Sequence, residues 1–239
     1  QNTKRMIRMN NKPSHCPSAD LLVEFAAGTL GTAESICISA HLHFCPHCRG
    51  ALHRLEQVGS HFMEENCEAV TRKSTHKLDN EEANSLFESV MEKIDAAGTD
   101  TPAKRASVKG EFPPLVNKLI AATYNKLNWR RLSKSVDVAA LKTGQNKFEV
   151  ALHRICAGGK TPKHDHRGLE YTVVLKGSFS DEKSVYKEGD FILRQPGDTH
   201  QPMGAQNGEC ICLSAQSAPI KLQSFFGSML NSWLRIRPS

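Results

Sequence analysis

Residues 158–177 read GGKTPKHDHRGLEYTVVLKG, the spacing G-x5-H-x-H-x3-E-x6-G. His164 and His166 stand at i, i+2, and on a strand such residues point to one side. Glu170 follows after a short turn. Downstream, 196–200 read PGDTH and bring His200 from a neighbouring strand. Three imidazoles and one carboxylate form a donor set for a divalent metal: zinc, manganese, iron or nickel. The plainer reading is a β-barrel with a vestigial, empty site.

Outward from this stretch, residues 147–155, 170–176, 184–187, 191–194 and 210–214 alternate apolar and polar residues between turns. Short strands at that spacing predict an all-β sandwich or barrel. Upstream the period changes. Residues 113–127 predict a helix, and the polar, Pro- and Gly-containing stretch 99–111 predicts a linker. Four further helices are expected before it. The first covers 18–28, with Leu21, Leu22 and Phe25 at helical spacing and Gly28 closing it. The second runs from a Thr32 cap to about Phe44. The third spans about Cys48 to Glu65, with Leu52, Leu55, Val58 and Phe62 on one face. The fourth starts near Asp79 or Asn80 and ends at Gly98, with the stripe Leu86, Phe87, Val90, Met91 and Ile94. Such stripes usually become core; an exposed docking face is the less common use. The expected organisation is a helical domain over 1–98, a linker over 99–111 and a β domain over 112–239.

The helical part has its own metal-ligand spacing. Residues 41–48, HLHFCPHC, give H-x3-C-x2-C. His41 and Cys45 at i, i+4 share one helix face, and Cys45 and Cys48 form a knuckle. Structural zinc takes four N/S ligands in a tetrahedron. The fourth is sought upstream at Cys16 or His15, with Cys16 favoured, and His43 and His47 are further donors. The bland alternative is buried free cysteines beside surface histidines.

With both stretches in hand, two resemblances become specific. Residues 158–177 with 196–200 resemble the two cupin motifs. Residues 15–50, HCPSADLLVEFAAGTL through HLHFCPHCRG, resemble the zinc-binding domain of ChrR-type anti-sigma factors, in which a ligand precedes a short helix and H-x3-C-x2-C follows. The resemblance runs from about His15 to the C-terminus. It implies a four-helix zinc domain followed by a cupin, a double-stranded β-helix or jelly-roll barrel. The metal ligands it implies are Cys16, His41, Cys45 and Cys48 for Zn2+ in the first domain. In the cupin they are His164, His166, Glu170 and His200, for Zn2+ or for Mn2+, Fe2+ or Ni2+. The implied partner is an extracytoplasmic-function RNA polymerase sigma factor, held as a 1:1 heterodimer. Its release would answer oxidants such as singlet oxygen or organic peroxides. The competing reading is a metal-dependent cupin dioxygenase or isomerase with a zinc-binding accessory domain; adjacency to the anti-sigma-like helices favours a regulator rather than an enzyme. Within a strand Tyr171 would face away from Glu170, which makes it a poor general base.

Composition agrees with a folded chain. Hydrophobic residues make up 39% of the 239, enough for a real core. No apolar run approaches about 18 residues, so no membrane span is expected. No apolar segment follows Lys4, Arg5, Arg8 and Lys12, so no signal peptide is expected, with Met6 or Met9 as natural starts. The net charge is +6, but residues 56–100 hold 11 acids against 4 bases. That block argues against nucleic-acid binding there and suits a basic protein partner; the plainer reading is a solvated helix face. The bases of the second half are scattered, so no DNA-binding stripe is indicated. Eight cysteines without an export signal, two of them among histidines, favour metal binding in a reducing cytoplasm over disulfides. Cys210 and Cys212 at i, i+2 read as two small buried hydrophobes, or as an oxidant-sensing or metal-proximal pair. A disulfide between them would be strained.

Overall fold

A computed structural model describes residues 12–73, 80–96, 110–124, 127–223, 236 and 238. Most of the expected linker, 99–109, falls outside these residues, as do Lys4, Arg5, Arg8, Asp79 and Gly98; side chains of 65–73, Cys67 included, are also left undescribed. The helices are α1 (Ala19–Ala26), α2 (Thr32–Phe44), α3 (Pro46–Lys73), α4 (Asn80–Ala96) and α5 (Pro114–Tyr124). The described chain forms two compact units, 12–55 with 110–223 and the helical stretch within 56–109.

The local chemistry explains the helix starts. The Ser18 side chain accepts the Leu21 amide of α1 at 3.4 Å, satisfying one of the free donors of the first turn. Gly28 closes the helix with φ +69°. Thr32 is the first residue of α2 rather than its cap, which is Gly31. Glu34 lies close over that cap, where a carboxylate suits the positive end of the helix. Pro46 and Pro114 sit at the first helical position, where a missing amide costs nothing. That lets α3 begin two residues before the expected Cys48, and it runs on to Lys73, beyond the expected Glu65.

The β part is antiparallel. Its strands are β1 (Arg130–Arg131), β2 (Val136–Ala140), β3 (Glu149–Ile155), β4 (His164–His166), β5 (Glu170–Lys176), β6 (Ser178–Ser180), β7 (Val185–Lys187), β8 (Phe191–Arg194), β9 (Thr199–His200), β10 (Met203–Gly204), β11 (Cys210–Gln216) and β12 (Ile220–Leu222). Six form one sheet, β1-β2-β3-β11-β5-β8, and two three-stranded sheets follow, β10-β6-β7 and β12-β4-β9. The expected strands 170–176 and 191–194 appear with those bounds.

Alternation along the strands separates two cores. Tyr171, Val173, Leu175, Leu213, Ala215, Leu152 and Phe191 face one way and pack with Leu22, Ile36, Ile38 and Val116 of the helices. Cys210, Cys212, Val174, Ile155 and Ile192 face the other way and meet Phe179 of β6 and Tyr186 of β7. The first core lies between sheet and helices, the second between sheets. Helix α2 packs on β5, β11 and β8, so most of its surface is covered and only a narrow polar stripe, Thr32, Ser35, Ser39 and His43, stays exposed or half-buried. At Gly177, with φ +72°, a Cβ would run into the Glu209 carbonyl; that explains the glycine closing the first motif. The structure thus shows a β-sandwich with helices N-terminal to it. Among the described residues no helix is long and apolar enough to cross a membrane.

Leu213 is fully buried at the middle of β11, under α2. Leu213→Ala should cost about 2–5 kcal/mol and lower Tm by about 5–15 °C. Calorimetry of the full chain checks this, and an unchanged Tm would mean that the helix-to-sheet core contributes little.

Candidate metal centres

Two clusters of ligand-bearing side chains form, and both were expected from the sequence. In the first, Cys16, His41, Cys45 and Cys48 bring their ligand atoms within 4.8 Å of one another. The Cys16 and Cys45 sulfurs are 3.8 Å apart, and His41 Nε2 lies 3.3 Å from the Cys48 sulfur. With Zn–S bonds of about 2.3 Å, sulfurs at tetrahedral corners stand about 3.8 Å apart, so these side chains fit the ion. All three residues of the H-x3-C-x2-C segment are at most 1% exposed. Burial lowers the His41 pKa, favouring the neutral imidazole that binds metal, and burial pushes the Cys16 and Cys48 thiols up. A bound cation would reverse that last effect, since thiolates are the ligands.

The alternative donors are elsewhere. His15 turns away from the cluster: its Nδ1–H donates to Asp190 at 3.3 Å, and Ser184 Oγ lies 3.2 Å from its Nε2. His43 and His47 are exposed and stay outside the group.

In the second cluster, His164, His166, Glu170 and His200 also bring ligand atoms within 4.8 Å. Strand pairing causes this. His164 on β4 stands directly opposite His200 on β9, and Glu170 enters from the inner face of the six-stranded sheet. The Nε2 atoms of His164 and His166 each lie 3.0 Å from that of His200. Adjacent nitrogens around one ion at about 2.1 Å stand about 3.0–3.4 Å apart. The other ring nitrogens are all engaged, which leaves Nε2 for a metal. His164 Nδ1–H donates to the Pro162 carbonyl at 2.9 Å, His200 Nδ1–H to Asp181 at 2.9 Å, and His166 Nδ1–H to Glu170 at 3.0 Å. Glu170 therefore stands both within ligand distance and as the orienting partner of His166; its other oxygen accepts the Thr172 hydroxyl at 3.0 Å.

The electrostatics favour cation binding. Burial pushes His200 down to about 4 despite Asp181, so its ring is neutral at neutral pH. Burial alone would raise Glu170, but His166, His153, His164 and His200 around it hold its carboxyl below the usual range. Asp181 is likewise held ionised against burial by the His200 hydrogen bond, the Lys183 amide and Arg194. Tyr171 packs on the helix side, near Phe148 and Phe191, away from this cluster. Cys210 and Cys212 are buried free thiols with sulfurs 3.7 Å apart.

Sequence reading missed the residues behind the ligands. Asp181 and Arg194 pair beneath His200, and Gly189 and Asp190 hold the first cluster. Gly189 and Asp190 had one local signal, a glycine–acid turn between two strands; Asp181 had none.

The fold and the two clusters define the class first: a helix-topped β-sandwich with a Cys3His group and a His3Glu group of possible metal ligands. Residues 117–219 match the ChrR cupin-like domain family. The chain is 32% identical over 223 residues to the anti-sigma-E factor ChrR of Cereibacter sphaeroides, covering 93% of this chain and 98% of that protein. The chain belongs to the ChrR family. Its structure is similar to that of ChrR in the complex of Rhodobacter sphaeroides SigE with the anti-sigma ChrR, with a TM-score of 0.65, 32% identity and coverage of 84% of this chain and 98% of that one.

Proposed function

We propose that this protein is a cytoplasmic anti-sigma factor: it binds an extracytoplasmic-function sigma factor 1:1 and releases it on oxidative stress sensed through the cupin. The similarity to anti-sigma-E factor ChrR over 93% of the chain carries this reading. Its reach across both halves speaks against an enzyme with an accessory domain, because a shared cupin alone would leave the helices unmatched.

In this reading Cys16, His41, Cys45 and Cys48 hold Zn2+ as a structural ion. His164, His166, Glu170 and His200 hold Zn2+, Mn2+, Fe2+ or Ni2+, an ion that would place a polarising charge between the sheets. The protein's own part is to present neutral imidazoles and to keep Asp181 and Glu170 ionised behind them. Residues 1–98, a four-helix zinc domain, carry the sigma-binding elements; 99–111 link them to a cupin barrel over 112–239. Because α2 lies on the sheet, cutting the chain at 98 would bare its apolar face, so binding is best tested in the full chain.

Releasing most of a tightly held partner takes roughly 3–5 kcal/mol of differential affinity, within reach of a change at a metal site. Capture of the full chain from its host should recover one sigma factor per chain. With a reporter driven by that factor, His164→Ala or His200→Ala should keep repression and lose most of the response to singlet oxygen or organic peroxide. No sigma factor in the capture, or a full response in both variants, would overturn the proposal.

A further inference from the structure

Two stretches supply the four ligands of the first cluster, 13–16 and 41–48, and both are seated on one two-residue turn of the sandwich. The Gly189 carbonyl accepts His41 Nδ1–H at 2.7 Å, which leaves His41 Nε2 facing the Cys48 sulfur. Asp190 is 0% exposed. Its carboxylate accepts the amides of Ser14 at 2.6 Å, His15 at 3.0 Å and Lys187 at 2.9 Å. It also accepts the Ser14 hydroxyl at 3.2 Å and His15 Nδ1–H at 3.3 Å. The Phe191 amide closes the seat by donating to the His15 carbonyl at 2.9 Å. The residue after His15 is Cys16. No side chain fits at Gly189: with φ +89°, a Cβ there would meet Phe44 and Pro13 at 2.7 Å.

From this seat a chain of hydrogen bonds leads to the other cluster. Because His15 Nδ1–H serves Asp190, its Nε2 accepts the Ser184 hydroxyl at 3.2 Å. The Ser184 amide donates to Asp181 Oδ1 at 3.1 Å, and Asp181 Oδ2 accepts His200 Nδ1–H at 2.9 Å. Tyr186 braces the path: its hydroxyl donates to Asp181 at 3.3 Å, and its ring lies 4.8 Å from that of His15.

We infer that Asp190 is a positioning residue for the first metal centre, and that the chain His200–Asp181–Ser184–His15–Asp190 couples the two centres, so that occupancy of the cupin site sets how firmly the Cys3His site keeps its ion. This deepens the reading above and rests on both clusters holding metal. The physical basis is that groups behind the ligands orient them, and their loss typically lowers metal affinity 10- to 100-fold. A coupling of this kind is reciprocal between the sites.

The full chain loaded with Co(II) tests it, because thiolate-to-cobalt absorption arises only at the sulfur-containing site. Decay of that band under excess chelator measures release from that site alone. Asp190→Asn should release cobalt about 10- to 100-fold faster than wild type, with an altered band. Ser184→Ala touches no ligand of either site and removes only the hydroxyl link; it keeps the molecule testable if Asp190→Asn does not fold. His164→Ala empties the cupin site from a position off the chain, its Nδ1 being bound to Pro162. It should speed release several-fold in the wild-type background and have no effect on top of Ser184→Ala. Equal effects of His164→Ala with and without Ser184, or wild-type release from Asp190→Asn, would overturn the coupling. A wild-type protein that binds cobalt without any thiolate band would instead overturn the metal reading on which the coupling rests.

Discussion

Replacing Phe87 and Ile94 together by glutamate should weaken sigma-factor binding at least about a thousand-fold while leaving metal content unchanged. Helix α4 carries Leu86, Phe87, Val90, Met91 and Ile94, between 39% and 64% exposed. Phe87, Val90, Met91 and Ile94 follow the helical period and line one side. An apolar face of this extent left in water is a mark of an interaction surface. The same helix carries Glu81, Glu82, Glu88, Glu92 and Asp95, part of the acidic block that suits a basic partner. Central apolar anchors in an interface are each worth about 2 kcal/mol or more; two of them give about 4 kcal/mol, or three decades in affinity. Titration of the sigma factor against wild type and variant measures it. Charge at these positions should not disturb the fold, because both side chains face solvent. Binding retained within tenfold would place the docking face elsewhere, Val58, Phe62 and Met63 of α3 being the next exposed apolar group.

The second large effect is expected at the knuckle. Cys48→Ala should lower elemental zinc-class metal from two ions per chain to one and separate the N-terminal helices from the main thermal transition. Structural zinc sites supply about 10–16 kcal/mol of apparent binding energy in small domains, and that energy is folding energy. Here an ion held by the cluster would tie Cys16 to the end of α2 and the first turn of α3, a junction also braced by Arg49, whose guanidinium donates to the Leu42 carbonyl at 2.6 Å. With the ligand gone, Cys16 and the start of α3 lose their common anchor, while α2 keeps its seat on the sheet. Hydrogen exchange should show protection lost in α1 and early α3 and retained in β5 and β11. A variant with wild-type exchange in α1 and α3 would deny the ion any structural part. A wild type holding one ion would remove one of the two centres.

The ligands were legible in the sequence because their relations are local. His41 to Cys45 is one helical turn and His164 to His166 is one strand repeat, so spacing alone puts each pair on one side. The join between distant pieces was not legible. His200 reaches His164 through strand pairing, a relation that no local spacing encodes. Asp190 meets His15 across a separation of 175 residues, and no periodicity encodes that. Helix α2 was recognisable as a helix from Thr32 to about Phe44, although its cap is Gly31 and not Thr32. What covers it was not, because its polar stripe shows which side meets water and not which distant strands pack on the rest. The sequence favoured Cys16 over His15 as the fourth ligand, and the reason His15 lies elsewhere is not local: the Asp190 carboxylate draws it the other way.

The seat on Gly189 and Asp190 also dictates an order of events during biosynthesis. Ser14 and His15 leave the ribosome first, yet their acceptor is translated about 175 residues later. At 5–20 residues per second that interval is about ten seconds or longer. The segment bearing Cys16 and the H-x3-C-x2-C segment are thus both made before the turn that orders them exists. A nascent or truncated chain has the ligands without their lock, and the mature arrangement is acquired only when the last third of the polypeptide has been made.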